Sequence, residues 1–414
     1  MEGGGSCRRR NGRRHRGRLP CPSQEQREAK LIEEIETLVI GCGQAGLAMS
    51  HELRNAGVRH FIVDGADGIG YAWRNRYDGL GMITPNWMNS LPGLSYPGEP
   101  DAFSDRDDTV RYLEEYAAYV RPPVQWRRKV VDVRRHDGGF LVGALTDPGG
   151  ERREWIARNV VVATGAYQKP RTPVFASDLG TDVHQTHVHA YRSPDDIPDG
   201  PVVVVGSGNS GIDVARQLSP AHQVTVCQGG NARLPRRATG TEVRALLHRM
   251  AEQATSVPKG HDLDETDDVL RWLDRLGFWE MDTRTPIGAK LALATSDSSI
   301  GPSLAHLTEH EGIRFTGRAV GVSGGTSVVV EGGERLTPRS VVWATGYDSD
   351  YSWLQLPVLD ALDRPRHRQG VSAEPGLYHL GLRFQTTASS SILYGVGRDA
   401  TRIARLIARR RHRR

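Results

Sequence analysis

The residues with the clearest chemical meaning are three glycines, Gly41, Gly43 and Gly46, in G-x-G-x-x-G spacing. A short apolar run precedes them, a helical pattern follows, and a second apolar run ends on Asp64. In such a unit the glycines permit a tight turn, a close approach of pyrophosphate to the backbone, and the packing of helix on strand. The helix N-terminus binds the phosphates, and the acid binds the ribose. This pattern favours dinucleotide binding over a turn that is only structural.

The same arrangement recurs in the second half of the chain. Gly206, Gly208 and Gly211 repeat the spacing after a valine-rich run and before a second helical pattern. Each half also ends in short predicted strands and an Ala-Thr-Gly turn, at residues 163–165 and 344–346. Repetition at this scale is more specific than one glycine loop alone. The sequence therefore predicts two dinucleotide-binding domains.

The strand after the second loop differs from its counterpart because no acid ends it. Cys227 and Gln228 follow that strand, and Arg233 and Arg236 come soon after. An acid repels a ribose 2′-phosphate, whereas an arginine pairs with it. The first loop therefore suits FAD and the second suits NADPH. NADH, with these arginines in a solvated loop, stays as the alternative.

The bulk of the chain has the composition of a soluble globular protein with two basic ends. Its 414 residues are 38% hydrophobic, and no apolar run approaches the length of a membrane helix. Fourteen arginines lie within residues 1–18 and 402–414, so the body between them is acidic, which argues against a nucleic-acid-binding face. For the N-terminal tail we favour disorder, or a start codon assigned too far upstream. Contact with a polyanion or a membrane surface is the less favoured alternative. An apolar stripe through Ile403 and Ile407 predicts that the last helix docks on the body.

Cysteine and histidine usage predicts neither a disulfide framework nor a metal site. Two of the four cysteines lie in the tail, Cys42 lies in the first glycine loop, and Cys227 lies in a predicted strand. The absence of a C-x-x-C motif fits a reducing cytosol and argues against a redox dithiol. His184, His187 and His189 form a close cluster without a carboxylate at convincing ligand spacing. We expect them to be structural, and we expect a cytoplasmic protein without a metal.

With these motifs in place, the chain resembles the class B flavin-dependent monooxygenases of the flavin-containing monooxygenase type. It is most similar to a bacterial NAD(P)/FAD-dependent oxidoreductase branch that carries TPNWMN-x-LPG at 84–93, H-x-x-x-Y-R-x-P at 187–194 and GLYHLGL at 376–382. The resemblance implies an α/β fold of two Rossmann-like, glutathione-reductase-like domains, with the NADPH domain inserted into the FAD domain. The division it implies is a basic disordered tail at 1–35, an FAD domain at 36–168 and 349–408, an NADPH domain at 169–348, and a basic tail at 409–414.

The resemblance and the loop patterns together assign cofactor contacts. Around the first loop these are Gly41, Gly43, Gln44, Ala45, Gly46, Asp64, Trp73, Arg74, Asn86, Ala163 and Thr164. Around the second loop they are Gly206, Gly208, Asn209, Ser210, Gly211, Arg233, Arg236, Thr345 and Gly346. Asn86 is also the nearest match to a family asparagine that helps to hold the reactive oxygen adduct beside the flavin. It is the one catalytic residue that the resemblance implies.

The activity implied by the resemblance is oxygenation of a small organic substrate at a nitrogen, sulfur or carbonyl centre. Hydride would pass from NADPH to FAD, and the reduced flavin would activate O2 as a C4a-(hydro)peroxide. The chain departs from the family motif F-x-G-x-x-x-H, because Gly180 and His184 keep the spacing but Asp178 replaces the phenylalanine. The tryptophan-ended version of that motif, expected of Baeyer–Villiger enzymes, is absent as well.

Several alternatives stay open at this point. One is an FAD-dependent NAD(P)H oxidase or dehydrogenase that oxygenates no substrate, and another is a non-enzymatic flavin redox sensor or partner-docking protein. A disulfide reductase is disfavoured, because it would need paired redox cysteines after the first helix and the sequence has none there. The aromatic segment 240–300 either packs in a core or lines the substrate pocket, and core packing is favoured. We expect a small-molecule substrate and O2 as partners, no nucleic acid and no membrane span; the oligomeric state stays open, a homodimer included.

Overall fold

The computed structural model describes residues 32–230, 233–251, 265–295 and 299–411. Two large sheets form its frame. The strands of the first sheet are β1 (Ile32–Ile40), β2 (His60–Val63), β3 (Val124–Gln125), β4 (Arg128–His136), β5 (Gly139–Thr146), β6 (Arg152–Val162), β21 (His367–Arg368), β22 (Val371–Ser372) and β23 (Leu377–His379). The strands of the second are β8 (His184–His187), β9 (Val202–Val205), β10 (Val224–Cys227), β15 (Arg314–Thr316) and β19 (Ser340–Trp343).

Shorter strands form small sheets around this frame. They are β7 (Lys169–Pro170), β11 (Arg233–Pro235), β12 (Arg237–Thr239), β13 (Thr266–Asp268), β14 (Ser299–Gly301), β16 (Ala319–Ser323), β17 (Ser327–Val330), β18 (Arg335–Leu336) and β20 (Tyr347–Asp348). The α-helices are α1 (Gln44–Asn55), α2 (Tyr71–Arg74), α3 (Arg106–Val120), α4 (Asn209–Leu218), α5 (Gly240–Ala251), α6 (Val269–Arg275), α7 (Pro286–Thr295), α8 (Leu304–Glu311) and α9 (Leu393–Arg411). Single 3-10 turns lie at Asn86–Met88, Val174–Asp178, Pro194–Asp196 and Phe278–Glu280.

The first sheet is organised around β1. The order β3-β2-β1-β6-β23 is parallel throughout, and β5 pairs with β6 in antiparallel fashion. Successive side chains of a strand point to opposite faces. Val39 accordingly packs in a cluster with helices α1, α3 and α9, whereas Leu38 and Ile40 pack in a cluster with strands β4 and β5. Both faces of the parallel sheet are therefore covered, as such sheets require.

The second sheet repeats this plan. Its order is β15-β10-β9-β19-β8, again parallel throughout. Val204 of the central strand β9 packs with Ile212 and Val214 of α4, and Val203 packs on the other side with Val328 of the antiparallel β16–β18 sheet. The predicted fold of two Rossmann-like α/β units is confirmed.

The chain crosses between the two sheets twice, through strands that pair with each other. On the way into the second sheet it passes through β7, and on the way out through β20, and these two strands form an antiparallel pair. Arg171 strengthens the junction, because its Nε and Nη2 atoms donate to the carbonyl of Thr345 at 3.1 and 2.9 Å. The two crossings therefore lie side by side at the junction of the two sheets.

The helical segment between β11 and α8 packs as a core of its own. Trp272 and Trp279 are 0% and 8% exposed, and Phe278 is also buried. Met88, from the loop at 84–93, belongs to the same apolar cluster. The favoured interpretation of these aromatic residues as core packing is confirmed.

Both ends of the described chain extend beyond the predicted domain limits. The first strand begins at Ile32 rather than at residue 36, because residues 32–35 already pair with β6. Helix α9 continues to Arg411 and so includes residues 409–411 of the segment predicted as a basic tail. Arg411 donates from Nη1 to the carbonyl of Gly57 at 3.1 Å, at the end of α1, where helix carbonyls need donors. The rest of the N-terminal tail lies outside the described residues.

Docking of the last helix is confirmed, because Ile403 and Ile407 are buried. Its 19 residues end in three arginines. Among the helices of the described ranges, none has both the length and the apolar character needed to cross a bilayer.

Tyr77 ties the loop after α2 to the second sheet. Its side chain is 1% exposed and belongs to the apolar cluster that contains Val204 and Ile212. Its hydroxyl lies within hydrogen-bonding reach of Ser210 and Asp213 in α4. A residue that precedes the second unit by more than a hundred positions therefore completes that unit's core.

Replacing Tyr77 with alanine is expected to lower the free energy of unfolding by about 3–5 kcal/mol, because loss of a buried aromatic ring leaves a cavity. Tyr77→Phe keeps the ring and is expected to cost only about 1 kcal/mol. Urea unfolding measures both values. Tyr71→Ala, at a half-exposed position on the same segment, serves as the matched control and should change stability by less than about 0.5 kcal/mol. Equal losses in Tyr77→Ala and Tyr71→Ala would contradict the anchoring role.

Candidate functional site

The first glycine loop is shaped by two contacts that exclude any side chain. Gly41 has a φ of +103°, and a Cβ there would lie 2.5 Å from the carbonyl oxygen of Ala163. A Cβ at Gly46 would lie 1.9 Å from the carbonyl oxygen of Gly41. At Gly43, by contrast, a Cβ would meet no atom within 4 Å. The loop is therefore closed against the protein at its two ends and open at its centre, where a pyrophosphate would approach.

The second loop has the same geometry. Gly206 has a φ of +114°, and its Cβ would lie 2.4 Å from the carbonyl oxygen of Ala344. A Cβ at Gly211 would lie 1.9 Å from the carbonyl oxygen of Gly206, and a Cβ at Gly208 would again meet nothing within 4 Å. Each loop thus presses against the strand end that carries its Ala-Thr-Gly turn and leaves one open cradle.

Asp64 lies beside the first loop, where the pattern places it. Its Oδ2 atom accepts a hydrogen bond from the backbone N–H of Cys42 at 2.5 Å, and its Oδ1 atom accepts one from Ala66 at 2.7 Å. The carboxylate is half-buried at the end of β2. These two bonds fix its orientation and leave acceptor capacity for ribose hydroxyls.

The other residues around the first glycine loop come from the end of β6 and from the chain before α9. Ala163 donates its N–H to the carbonyl of Ile40 at 2.8 Å, which holds the Ala-Thr-Gly turn against the loop. Gln44 donates from Nε2 to the carbonyl of Ser391 at 3.2 Å. Ala45 touches the same region, because a Cβ at Gly381 would lie 3.2 Å from its methyl group. The structure brings these predicted residues together.

Trp73 and Arg74 lie in the short helix α2. Trp73 is partly buried against the apolar cluster of the first unit. Arg74 is more exposed, and its Nη2 atom lies 3.2 Å from Oε1 of Glu114. Its guanidinium borders Gly68 in the loop that follows Asp64. An exposed pair of this kind contributes little stability, so Arg74 can change partners at small cost.

Asn86 is buried and held by the segment at 99–104. Its Nδ2 atom donates to the carbonyl of Glu99 at 3.0 Å, and its Oδ1 atom accepts from the hydroxyl of Ser104 at 2.7 Å. Asn89 plays a similar part within the loop, where it bonds to Thr84. The contacts give Asn86 a loop-supporting role, and its catalytic role stays a prediction.

Around the second loop, and in the equivalent Ala-Thr-Gly turn of the first, five predicted residues contact neighbouring elements. Asn209 accepts through Oδ1 from the N–H of Ile300 at 3.0 Å, which ties the start of α4 to β14. Ser210 lies within reach of Tyr77, as described above. Thr164 and Thr345 occupy equivalent turns, and the hydroxyl of Thr164 accepts from Gln168 at 3.0 Å. Gly346 accepts through its carbonyl from the β7 side of the junction, where Arg171 donates its backbone N–H at 3.0 Å.

The two arginines predicted to select NADPH lie in different surroundings. Arg233 donates from Nε to the carbonyl of Pro302 at 2.7 Å and lies against β14. Strand β14 is in turn hydrogen-bonded to Asn209 through the N–H of Ile300. Arg236 forms an ion pair with Asp268 at 2.9 Å and lies 3.9 Å from the ring centroid of Phe103. Because its charge is already paired and stacked, the contacts of Arg236 do not favour a 2′-phosphate role.

Arg318 lies beside the end of β10 although the sequence pattern gave no signal for it. Its Nη2 atom would lie 3.7 Å from a Cβ at Gly230, and the side chain is exposed. It precedes β16 and lies more than a hundred positions after the second loop, so local spacing could not relate the two. Arg318 joins Arg233 as a basic residue near the predicted 2′-phosphate position.

A cationic and aromatic cluster occupies the junction between the two units. Arg76 donates from Nη1 to the hydroxyl of Tyr347 at 2.5 Å, and its guanidinium carbon lies 5.6 Å from the ring centroid of Tyr167. The rings of His187 and His189 lie 5.3 and 5.8 Å from that of Tyr347, both edge-on. Three segments of the chain meet here, and the sequence gave no signal for Arg76 or Tyr347.

The hydrogen bonds of His187 fix its tautomer. Nδ1 accepts from the backbone N–H of His189 at 3.0 Å, so the proton lies on Nε2 and donates to the carbonyl of Gly346 at 3.1 Å. Burial, with smaller contributions from His189 and Arg76, lowers the pKa of His187 to about 4. The neutral imidazole therefore links β8 to the strand that leaves the second unit.

The two described cysteines are unsuited to thiol chemistry. Cys42 and Cys227 are both buried and unpaired; Cys42 lies in the loop after β1 of the first sheet, and Cys227 ends β10 of the second. Burial raises the pKa of the Cys42 thiol, and Asp64 adds to this effect. Burial likewise raises the pKa of Cys227 to about 12. The thiolate is the reactive form, so neither residue is poised for disulfide exchange. The two tail cysteines lie outside the described residues.

The geometry described above has counterparts in known proteins. The model of the pyridine nucleotide-disulphide oxidoreductase family matches residues 38–255. A CzcO-like oxidoreductase of Geobacillus kaustophilus is 34% identical over 88% of this chain and 96% of that protein. The probable indole-3-pyruvate monooxygenase YUCCA9 of Arabidopsis thaliana is 26% identical over 94% of this chain and 92% of that protein. A flavin-containing monooxygenase structure from Stenotrophomonas maltophilia has a TM-score of 0.63 at 22% identity, over 91% of this chain and 99% of that one.

Because each loop is open at its centre, a substitution there is expected to weaken the binding of one dinucleotide and leave the other bound. Gly43→Ala is expected to weaken FAD binding at least tenfold without loss of folding, because the added methyl enters the cradle and touches no protein atom. Gly208→Ala should weaken NADPH binding to a similar extent and leave FAD bound. Flavin retention and NADPH titration measure these effects.

Gly46→Ala is the steric control, since its methyl has no room and the variant should fold poorly. Unchanged FAD affinity in a well-folded Gly43→Ala protein would rule out the first loop as the flavin site.

The depressed pKa of His187 predicts a loss of stability in acid. The unfolded chain takes up a proton near pH 6.5, whereas the folded chain does so only near pH 4, so the free energy of unfolding falls as the pH is lowered between those values. His379, whose pKa burial lowers to about 3, acts in the same direction. His187→Gln keeps a donor for Gly346 and should flatten this slope by up to about one proton. Urea unfolding between pH 4 and 7 tests this, with the exposed His310→Gln as control; an unchanged slope in His187→Gln would refute the assignment.

Proposed function

The chain belongs to the pyridine nucleotide-disulphide oxidoreductase family, and on that premise we propose that it is an FAD- and NADPH-dependent monooxygenase. The observation that carries the proposal is the pair of glycine loops with matching geometry, each closed at both ends and open at its centre. Two such cradles suit two dinucleotides, one that stays bound and one that is exchanged. The resemblance to flavin-containing monooxygenases predicted from the motifs is confirmed by the relatives and the shared fold.

The residues present fit both cofactors. The open backbone at Gly43, the oriented carboxylate of Asp64 and the adaptable Arg74 suit the pyrophosphate and ribose of FAD. The open backbone at Gly208, with Arg233 and Arg318 nearby, suits NADPH. We place the NADPH domain at 169–348, and the pairing of β7 with β20 at both of its limits supports this division.

The choice of monooxygenase over other flavoenzymes rests on the sequence relatives. YUCCA9, which matches nearly the whole chain, bears the name of a probable indole-3-pyruvate monooxygenase. When bound, FAD supplies the chemistry of hydride acceptance and oxygen activation. The protein must orient the two cofactors and keep water away. The buried loop at 84–93, packed against Trp272 and Trp279, supplies an apolar wall suited to that task.

The substrate we propose is a small organic molecule with a nitrogen, sulfur or carbonyl centre, together with O2. The unpaired, buried Cys42 and Cys227 support a location in the reducing cytoplasm. They also oppose disulfide reduction, because that reaction needs a pair of reactive thiols close together. The acidic body between the basic tails supports the absence of a nucleic-acid partner.

Oxygen reactivity tests the proposal directly. Purified FAD-loaded protein is reduced with NADPH without air and mixed with O2 in a stopped-flow spectrometer. A monooxygenase should show a flavin spectrum different from both the oxidised and the reduced forms, because the site protects the activated oxygen from water. Direct return to the oxidised spectrum, with one free peroxide per NADPH, would instead identify an oxidase or dehydrogenase. Gly208→Ala serves as the control, since it should slow reduction without changing the reaction with O2.

A further inference from the structure

A cavity lies at the outer edge of the first sheet, away from both glycine loops. Its volume is about 630 Å³, and it opens between the β21–β22 hairpin and helix α9. Strands β22, β23 and β6 separate β21 from β1, whose carboxyl end carries the first loop. The lining residues are Arg366, His367, Arg368, Gln369, Val371, Ser372, Ala373, Arg402 and Leu406. None of the cofactor contacts predicted from the sequence is among them.

Arg402 contributes an unpaired cationic group to this cavity. Its Nε and Nη2 atoms are buried and have no hydrogen-bond partner within the described chain. Two carboxylates lie near enough for their charge to act on Arg402, but neither is hydrogen-bonded to it: Asp399 accepts from Thr386 through Oδ1, and Asp282 pairs with Arg284 at 2.6 Å. Buried N–H groups of a guanidinium without a hydrogen-bond partner are unfavourable, so they normally find one, either in the protein or in a bound water, ion or ligand.

Other unsatisfied polar atoms gather around the same hairpin. Over the described ranges, sixteen buried side-chain atoms have no hydrogen-bond partner, and six of them belong to His379, Gln385, Asp399 and Arg402. His379 is fully buried, and its ring centroid lies 6.2 Å from that of His367, which lines the cavity. Gln385 borders Gly370 at the turn of the hairpin. Arg402 is the one of these four residues that also lines the cavity.

The charge and shape of the cavity indicate what this ligand is. Of the described residues that line it, three are arginines, Arg366, Arg368 and Arg402, and none is acidic. Val371 and Leu406 supply apolar surface on the same walls. Guanidinium groups bind carboxylate and phosphate by paired hydrogen bonds, and apolar side chains bind a hydrocarbon portion. We propose that this cavity is a binding site for a small organic anion, with its charged group at Arg402 and its apolar part against Leu406.

Binding of 4-phenylbutyrate to the FAD-loaded protein, measured by isothermal titration calorimetry, tests the proposal. We expect saturable binding with one site per chain, and at least tenfold weaker binding of the uncharged 4-phenylbutyramide. Arg402→Gln should reduce phenylbutyrate affinity at least tenfold. Arg405→Gln, which removes an exposed arginine from the same helix, should leave affinity unchanged. Equal binding of acid and amide, or equal affinity in both variants, would overturn the site.

Thermal unfolding separates a ligand-binding role of Arg402 from a structural one. Because its buried charge lacks a partner, Arg402→Gln should unfold at the same or a higher temperature without ligand, and should lose the rise in unfolding temperature that phenylbutyrate causes. A lower unfolding temperature with the ligand effect intact would show a structural arginine. Arg368→Gln, on the exposed hairpin, gives a second variant that should bind three- to tenfold more weakly. Competition between phenylbutyrate and NADPH, or equally tight binding of inorganic phosphate, would overturn the assignment.

Discussion

The close contact between each glycine loop and the strand ends around it is the constraint on which the rest of the structure depends. A Cβ at Gly46 or Gly211 would lie 1.9 Å from a carbonyl oxygen of its own loop, so the helix can start there only if the residue is glycine. This contact sets α1 and α4 against their sheets and directs the free N–H groups of each helix past the carboxyl ends of the strands. Both dinucleotide cradles follow from that one packing arrangement.

The position of the two cradles relative to each other depends on a segment of the first unit that packs into the second. Tyr77 is buried in the core around α4, while Arg76 contacts the strand that leaves the second sheet through Tyr347. The neutral His187 donates to Gly346 in that same exit. A buried ring, a cation–π contact and a hydrogen bond from an uncharged imidazole thus hold the junction.

How much could be predicted from the sequence follows from the range of the forces involved. The loops, the acid at Asp64 and the parallel strands were predictable because steric limits on glycine and strand patterning act over a few neighbouring residues. The surroundings of Arg236 could not be predicted because its partners are distant in sequence; Asp268 and Phe103 lie 32 positions after it and 133 before it. Arg318 and the cavity at Arg402 could not be predicted for the same reason. Each depends on contacts between segments that are far apart in the sequence.

The hydrogen bonds of Asn86 bear on how this fold can serve oxygen chemistry. Ser104 donates to its Oδ1 atom and one amide hydrogen reaches Glu99, so the side chain cannot rotate without breaking two bonds in a buried setting. An amide nitrogen carries two hydrogens, which leaves one for a further acceptor. A donor held in place before the reaction needs no reorganisation when charge develops, and such donors are the ones that stabilise reactive oxygen anions. The bonds that give Asn86 its loop-supporting role are therefore the bonds that would make it an effective donor.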